Sequence, residues 1–95
     1  MTPRDVFISY STRDRDVAEA MCEKLESEQI RCWIAPRDIL AGTEWIASLV
    51  EGITHSSVFV LVFSSNANGS RHVAREVYLA ASKNKPIVQF RIEDV

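Results

Sequence analysis

Glu76 and His72 are the two residues of this chain whose types and spacing bear most directly on chemistry. They lie four positions apart, one turn of a helix, so they share a side of it. Val73, Val77 and Ala80 mark the core face of that helix. At about 100° per residue, Glu76 falls at the margin of this face rather than opposite it. Its carboxylate could therefore point along the sheet edge, near the strand ends. The competing reading is a solvated glutamate paired with Arg75 or Lys83. His72 reads either as an imidazole that stacks or hydrogen-bonds in a pocket, or as a surface or capping histidine.

Such a pair needs elements to position it, and the chain supplies them in alternation. Val6–Tyr10 reads as a strand, and Ser11 can cap the helix after it. Val17, Ala18, Met21, Cys22 and Leu25 recur at helical spacing, which predicts a helix from about Arg13 to Glu28 with Asp14 in its first turn. Arg31–Ile34 is a second, short strand. Ala35–Gly42 is a loop broken by Pro36 and Gly42. Thr43 can cap a second helix, with Glu44 in its first turn and Trp45, Ile46, Leu49, Val50 and Ile53 on one side. Ser57–Phe63 is apolar on both faces, as a central parallel strand is. Ser64–Gly69 reads as a polar loop, Ser70 as the cap of a third helix reaching Lys83, and Pro86–Ile92 as a fourth strand.

The β-α-β-α-β-α-β order with short links calls for an α/β parallel sheet with right-handed crossovers. In such sheets ligands bind outside the strand ends, so Tyr10 and Ser11 mark one wall of a site.

Length and composition narrow the classes. The chain has 95 residues, enough for one small domain with a modest core. Its net charge is −2 and no basic stripe forms, which argues against nucleic-acid binding. No apolar run reaches the roughly 18 residues of a membrane span. The N-terminal Met1–Asp5 lacks the apolar core of a signal peptide, so a cytoplasmic setting is expected. Cys22 and Cys32 read as small buried hydrophobes, and two Cys and two His at unrelated spacings predict no metal site. No G-x-G-x-x-G follows the first strand and no G-x-x-x-x-G-K-[ST] is present. The third strand ends Phe63-Ser64-Ser65, without the aspartate that a receiver domain phosphorylates.

Four segments together carry a family resemblance. Asp5-Val6-Phe7-Ile8-Ser9-Tyr10-Ser11 resembles the first box of Toll/interleukin-1 receptor (TIR) domains of the bacterial type. Cys32-Trp33-Ile34-Ala35-Pro36-Arg37-Asp38-Ile39-Leu40-Ala41-Gly42 resembles the second strand and the long loop after it. Phe59–Ser64 resembles the third strand, and Ser70-Arg71-His72-Val73-Ala74-Arg75-Glu76 the helix that bears the family's catalytic glutamate. They occur in order and cover nearly all of residues 1–95, read as a single TIR domain.

The resemblance implies a flavodoxin-like fold with strand order 2-1-3-4-5. This chain stops at Ile92-Glu93-Asp94-Val95, where the family continues through a further helix and a fifth strand. The domain is therefore expected to be C-terminally short.

It also implies an activity. Many bacterial and plant members cleave NAD+ at its nicotinamide–ribose bond, with NAD+ as substrate and no cofactor. Most animal members only assemble with other TIR domains. On the first reading Glu76 is catalytic, and Tyr10, Ser11, Arg37, Asp38, Trp45 and His72 contact substrate. Arg37, on a loop that moves in the family, could pair the pyrophosphate or stay solvated. Trp45 is an aromatic pocket wall or core packing, whereas Trp33 is core. Many catalytic members carry tryptophan where this chain has His72. One carboxylate suffices for such chemistry, because nicotinamide leaves as a neutral molecule without protonation. The expected partners are other TIR domains, in a homo-oligomer or filament, and a regulatory sensor domain on a longer chain.

Overall fold

Successive side chains of a strand point to opposite faces, and β1 (Arg4–Ser9) uses this alternation to separate two cores. Phe7 joins Trp33, Leu49, Ile53, Phe59, Leu61, Val73 and Ala80 on one face. Ile8, followed by Tyr10, joins Ala18, Cys22, Cys32, Ile34 and Val62 on the other. The first core lies under α2 (Trp45–Thr54) and α4 (Arg71–Ser82), the second under α1 (Arg15–Ser27). A computed structural model describes residues 3–92. The expectation of a short C-terminus rests partly on Glu93–Val95, which lie outside the described residues.

β1 sits inside a four-stranded sheet with β2 (Cys32–Trp33), β3 (Ser56–Phe63) and β4 (Ile87–Arg91), in the order β2-β1-β3-β4. Every pairing is parallel. This is the α/β architecture expected from the alternation of elements. Among the described residues β4 pairs on one side only, and all five of its residues are exposed.

The strands shift by one or two residues from the sequence reading, β1 ending at Ser9 rather than Tyr10, and the starts of the helices differ at three places. The first helix starts with a 3-10 turn, Thr12–Asp14, capped by the Ser11 hydroxyl, which accepts from the Arg13 N–H at 3.3 Å. α2 is capped by the extended backbone of Glu44, not by Thr43, so Glu44 stands just outside the first turn. The polar stretch 64–69 contains a helical turn, α3 (Ser65–Asn68), because the Ser64 hydroxyl accepts from the Ala67 N–H at 3.0 Å. Ser70 caps α4 as expected, accepting from Val73 N–H at 3.2 Å. Gly42 serves its turn with φ of +79°.

An aromatic rung crosses the sheet beneath α2. Register places Phe7 opposite both Trp33 and Phe59. The Phe7 and Trp33 rings stack at 4.8 Å and the Phe7 and Phe59 rings at 5.4 Å. α2 comes close enough that a Cβ on Gly52 would sit 2.6 Å from Trp33 Cε2. Alanine normally favours a helix over glycine by about 1 kcal/mol. Here the clash reverses the sign, and Gly52→Ala is expected to cost about 1–3 kcal/mol. Urea unfolding checks this; a midpoint at or above that of the parent would show that the ring yields.

Candidate functional site

Ser9 is the last residue of β1 and lies two positions after Phe7, so it shares the face turned to α4. α4 in turn aims Glu76 down at the sheet. The result is a buried hydrogen bond, with Ser9 Oγ donating to Glu76 Oε1 at 2.6 Å. The second carboxylate oxygen, Oε2, is 2.8 Å from His72 Nε2. Glu76 is only 3% exposed. It is therefore neither at the margin of the core face nor solvated, and its partners are Ser9 and His72 rather than Arg75 or Lys83. A buried carboxylate is held where a charge is costly unless bonded, and both its oxygens are bonded here.

His72 bridges this buried group to solvent, with its side chain 40% exposed. The hydrogen bond with Glu76 raises its pKa above the ordinary 6.5, against a smaller opposing effect of burial. Linkage gives the sign. A raised folded-state pKa means stability that is fully present below 6.5 and is lost as pH climbs through the raised value. The denaturant midpoint is expected to fall across that window, and His72→Gln is expected to flatten the fall. A profile with the same slope in both proteins would contradict the bond.

Around Glu76 and His72 a cleft opens beyond the C-terminal end of β1. Tyr10, Thr12, Arg15, Pro36 and Trp45 line it, with Trp33 and Phe7 at its base. Its volume is about 80 Å³. Trp45 is 47% exposed at its mouth, so this side chain is not core packing; Trp33, at 1%, is. Tyr10 points to the α1 face and donates to the Ala35 carbonyl, tying the strand end to the loop that walls the cleft.

The structure thus brings Glu76, His72, Tyr10 and Trp45 to one cleft. It sets three expected residues apart. Ser11 is buried as the cap of the 3-10 turn. Arg37 faces α1: its guanidinium pairs with both Glu26 carboxylate oxygens at 2.8 and 2.9 Å and donates to the Cys32 carbonyl at 2.8 Å. Asp38 accepts from the Ile34 N–H at 2.9 Å and pairs with Arg37 and, at 3.5 Å, with Arg4. A guanidinium so occupied is not the free cation expected for a pyrophosphate. These two residues brace the long loop instead.

Two groups of interacting residues escape the sequence reading. Ser9 lies within the strand rather than after it, and the parity of β1 is the signal that finds it. Asp14 is buried and accepts from Ser64 Oγ at 2.5 Å and Asn66 Nδ2 at 3.1 Å, joining the first helical turn to the end of β3. On the α1 side, burial raises the thiol pKa of Cys22 and pushes that of Cys32 up to about 12, so neither is an activated nucleophile. Among the described residues no helix is long and apolar enough to cross a membrane.

Comparison with known proteins gives the same fold. Residues 6–95 match the family model described as TIR domain. The TIR domain of the Toll-related receptor TRR-2 from Hydra magnipapillata superposes with a TM-score of 0.88 at 22% identity, over 97% of this chain and 73% of that one. A metazoan TIR-STING receptor from C. gigas gives 0.84 at 26% identity, over 99% of this chain and 32% of that one. The TIR domains of the activated Roq1 resistosome give 0.82 at 20% identity, over 93% of this chain and 57% of that one. The chain thus spans about a third and somewhat over half of the latter two. None of the curated proteins matches it.

Proposed function

The chain belongs to the TIR domain family, and on that premise we propose that it is an NAD+ glycohydrolase module, activated by self-assembly, with Glu76 as its catalytic carboxylate. The observation that carries this reading is the buried carboxylate at the end of β1, held by Ser9 and His72 on the wall of a cleft.

The chemistry is set by the leaving group. Nicotinamide in NAD+ is already cationic and departs neutral, so no general acid has to protonate it. Cleavage of the bond between the ribose C1′ and the ring nitrogen leaves positive charge on the ribose, as in other glycoside cleavages. A fixed carboxylate facing that charge lowers the barrier because its orientation was established on folding. Ser9 holds Oε1, which leaves Oε2 to exchange His72 for the ribose hydroxyls. Water then forms a bond to the ribosyl C1′ and gives up a proton to solvent, leaving a C1′ hydroxyl. Tyr10 and Trp45 form the walls, and Trp45 offers the nicotinamide ring an aromatic face.

The cleft in its present form is too small for this. Ligand sites usually hold about 300–1,000 Å³, against about 80 Å³ here. The segment bearing Ala35, Pro36 and Trp45 therefore has to move outward, and contact with a neighbouring TIR domain supplies a reason for it to do so. The observation that favours a second reading, a non-catalytic TIR–TIR interaction module, is the exposed apolar group Leu40, Trp45 and Ile46 on and beside the long loop.

Assembly separates the two. Protein fused to an oligomerising scaffold, or crowded, is incubated with NAD+ and nicotinamide is followed by chromatography. Release that rises steeply with clustering is expected. Self-association without turnover in any assembled state would transfer the assignment to the interaction module.

A further inference from the structure

The face of the sheet opposite Glu76 carries a second convergence of chemically capable side chains. α1 packs back over β2, and this return sets Cys22 on the helix against Cys32 on the strand, although ten residues separate them. Glu26, one turn beyond Cys22, joins them. The ligand atoms of the three lie within 4.8 Å of one another. Both cysteines are free thiols. Two thiols and a carboxylate form a donor set suited to zinc and other thiophilic divalent ions. Zn–S and Zn–O bond lengths place tetrahedral ligand atoms roughly 3.5–3.8 Å apart, so closure onto an ion needs movements of only about 1 Å.

Two further observations point to a cation at this spot. The first is that one is already there. The Arg37 guanidinium lies between the donors, 2.8 Å from Glu26 Oε1 and 3.7 Å from Cys22 Sγ, and it reaches the Cys32 carbonyl at 2.8 Å. The second is access. A groove of about 460 Å³, lined by Cys22, Glu26, Pro36 and Arg37, reaches two of the three ligands, Cys22 and Glu26, from solvent, while Cys32 is fully buried.

We propose that Cys22, Glu26 and Cys32 form a three-ligand site for a thiophilic divalent cation such as Zn2+, entered through this groove, in which the ion displaces the Arg37 guanidinium and completes its shell with water. On binding, each thiol sulfur bonds the ion and loses its proton to solvent, with no change of oxidation state. The site is linked to the cleft, because Ala35 and Pro36 wall both the groove and the cleft. An ion that takes the place of Arg37 releases the loop that this arginine braces.

Cd2+ is the probe, because its bonds to thiolates absorb in the ultraviolet. The reduced full chain, kept so by a non-thiol reductant, is titrated with Cd2+, and Zn2+ is then added in competition. One Cd2+ per chain with a thiolate band that Zn2+ removes is the expected result. Cys22→Ala/Cys32→Ala is expected to abolish the band in protein whose circular dichroism is unchanged. Absence of the band in the parent, or its persistence in this variant, overturns the site. If the double variant does not fold, Glu26→Gln at the solvent edge decides. Binding weaker by at least about 10-fold is expected, since losing even an outer-shell partner of a ligand costs that much, and unchanged affinity overturns the assignment. The link to the cleft is read separately, from Trp45 emission in Trp33→Phe protein. A shift on Cd2+ binding supports it, and an unshifted spectrum overturns the link alone.

Discussion

Glu76→Gln is expected to lower nicotinamide release from NAD+ by about 10³-fold in assembled protein, with the fold retained. The magnitude rests on the contribution of one preorganised electrostatic group to a charged transition state, about 10²–10³-fold for a neutral donor, taken at its upper end for a carboxylate. Glutamine keeps the shape and can still accept from Ser9 Oγ, 2.6 Å away, so the loss reads charge rather than packing. Ser9→Ala separates the roles further. It leaves the carboxylate in place but frees Oε1, and a misplacement of about 1 Å can cost up to 10²-fold. A loss of about 10-fold to 100-fold is therefore expected for this positioning residue, smaller than that for Glu76. Steady-state nicotinamide release, with circular dichroism on each variant, checks the order. A Ser9→Ala variant as inactive as Glu76→Gln would mean that the bond between them, rather than the carboxylate, is what catalysis requires.

The second large effect falls on stability. Trp33→Ala is expected to cost about 3–5 kcal/mol, a large share of the roughly 5–14 kcal/mol that holds a domain of 95 residues. Trp33 is 1% exposed, stacks on Phe7 and is pressed by α2 at Gly52. Its removal empties the space between β2 and α2, and β2 has only two residues with which to hold its place in the sheet. Trp33→Phe should cost less, about 0.5–3 kcal/mol, because a six-membered ring still stacks on Phe7. The indole Nε1 is buried with no hydrogen-bond partner among the described residues. Phenylalanine removes that unmet donor, whose burial costs about 1–3 kcal/mol, and so recovers part of the lost contact. Urea midpoints for the two variants should therefore differ. Equal losses would show that the indole itself, and not the volume it fills, governs this position.

The elements are legible in the sequence where local physics decides them. The unbroken apolar run of β3 marks a strand buried on both faces, and Ser70 followed by the Val73, Val77 and Ala80 spacing marks α4. The cap of α2 falls one residue later than expected, because Thr43 and Glu44 are both plausible there and backbone conformation decides between them. The site is legible only in part. Glu76 and His72 are visible as a pair, since four-residue spacing on a helix is local information. Ser9 is not, because recognising it requires knowing which face of β1 meets α4. The role of Arg37 is also hidden: its partners Glu26 and Cys32 become neighbours only once α1 returns over β2. The same return joins Cys22 to Cys32, whose spacing in the chain gives no hint of contact.

The measurement that tests the central claim most directly is nicotinamide release by the parent and Glu76→Gln proteins, matched for assembly and for thermal unfolding, at one NAD+ concentration. The account predicts nicotinamide from the parent in amounts equal to the NAD+ consumed, and almost none from the variant. Equal release from both, or none from the parent in any assembled state, would contradict it.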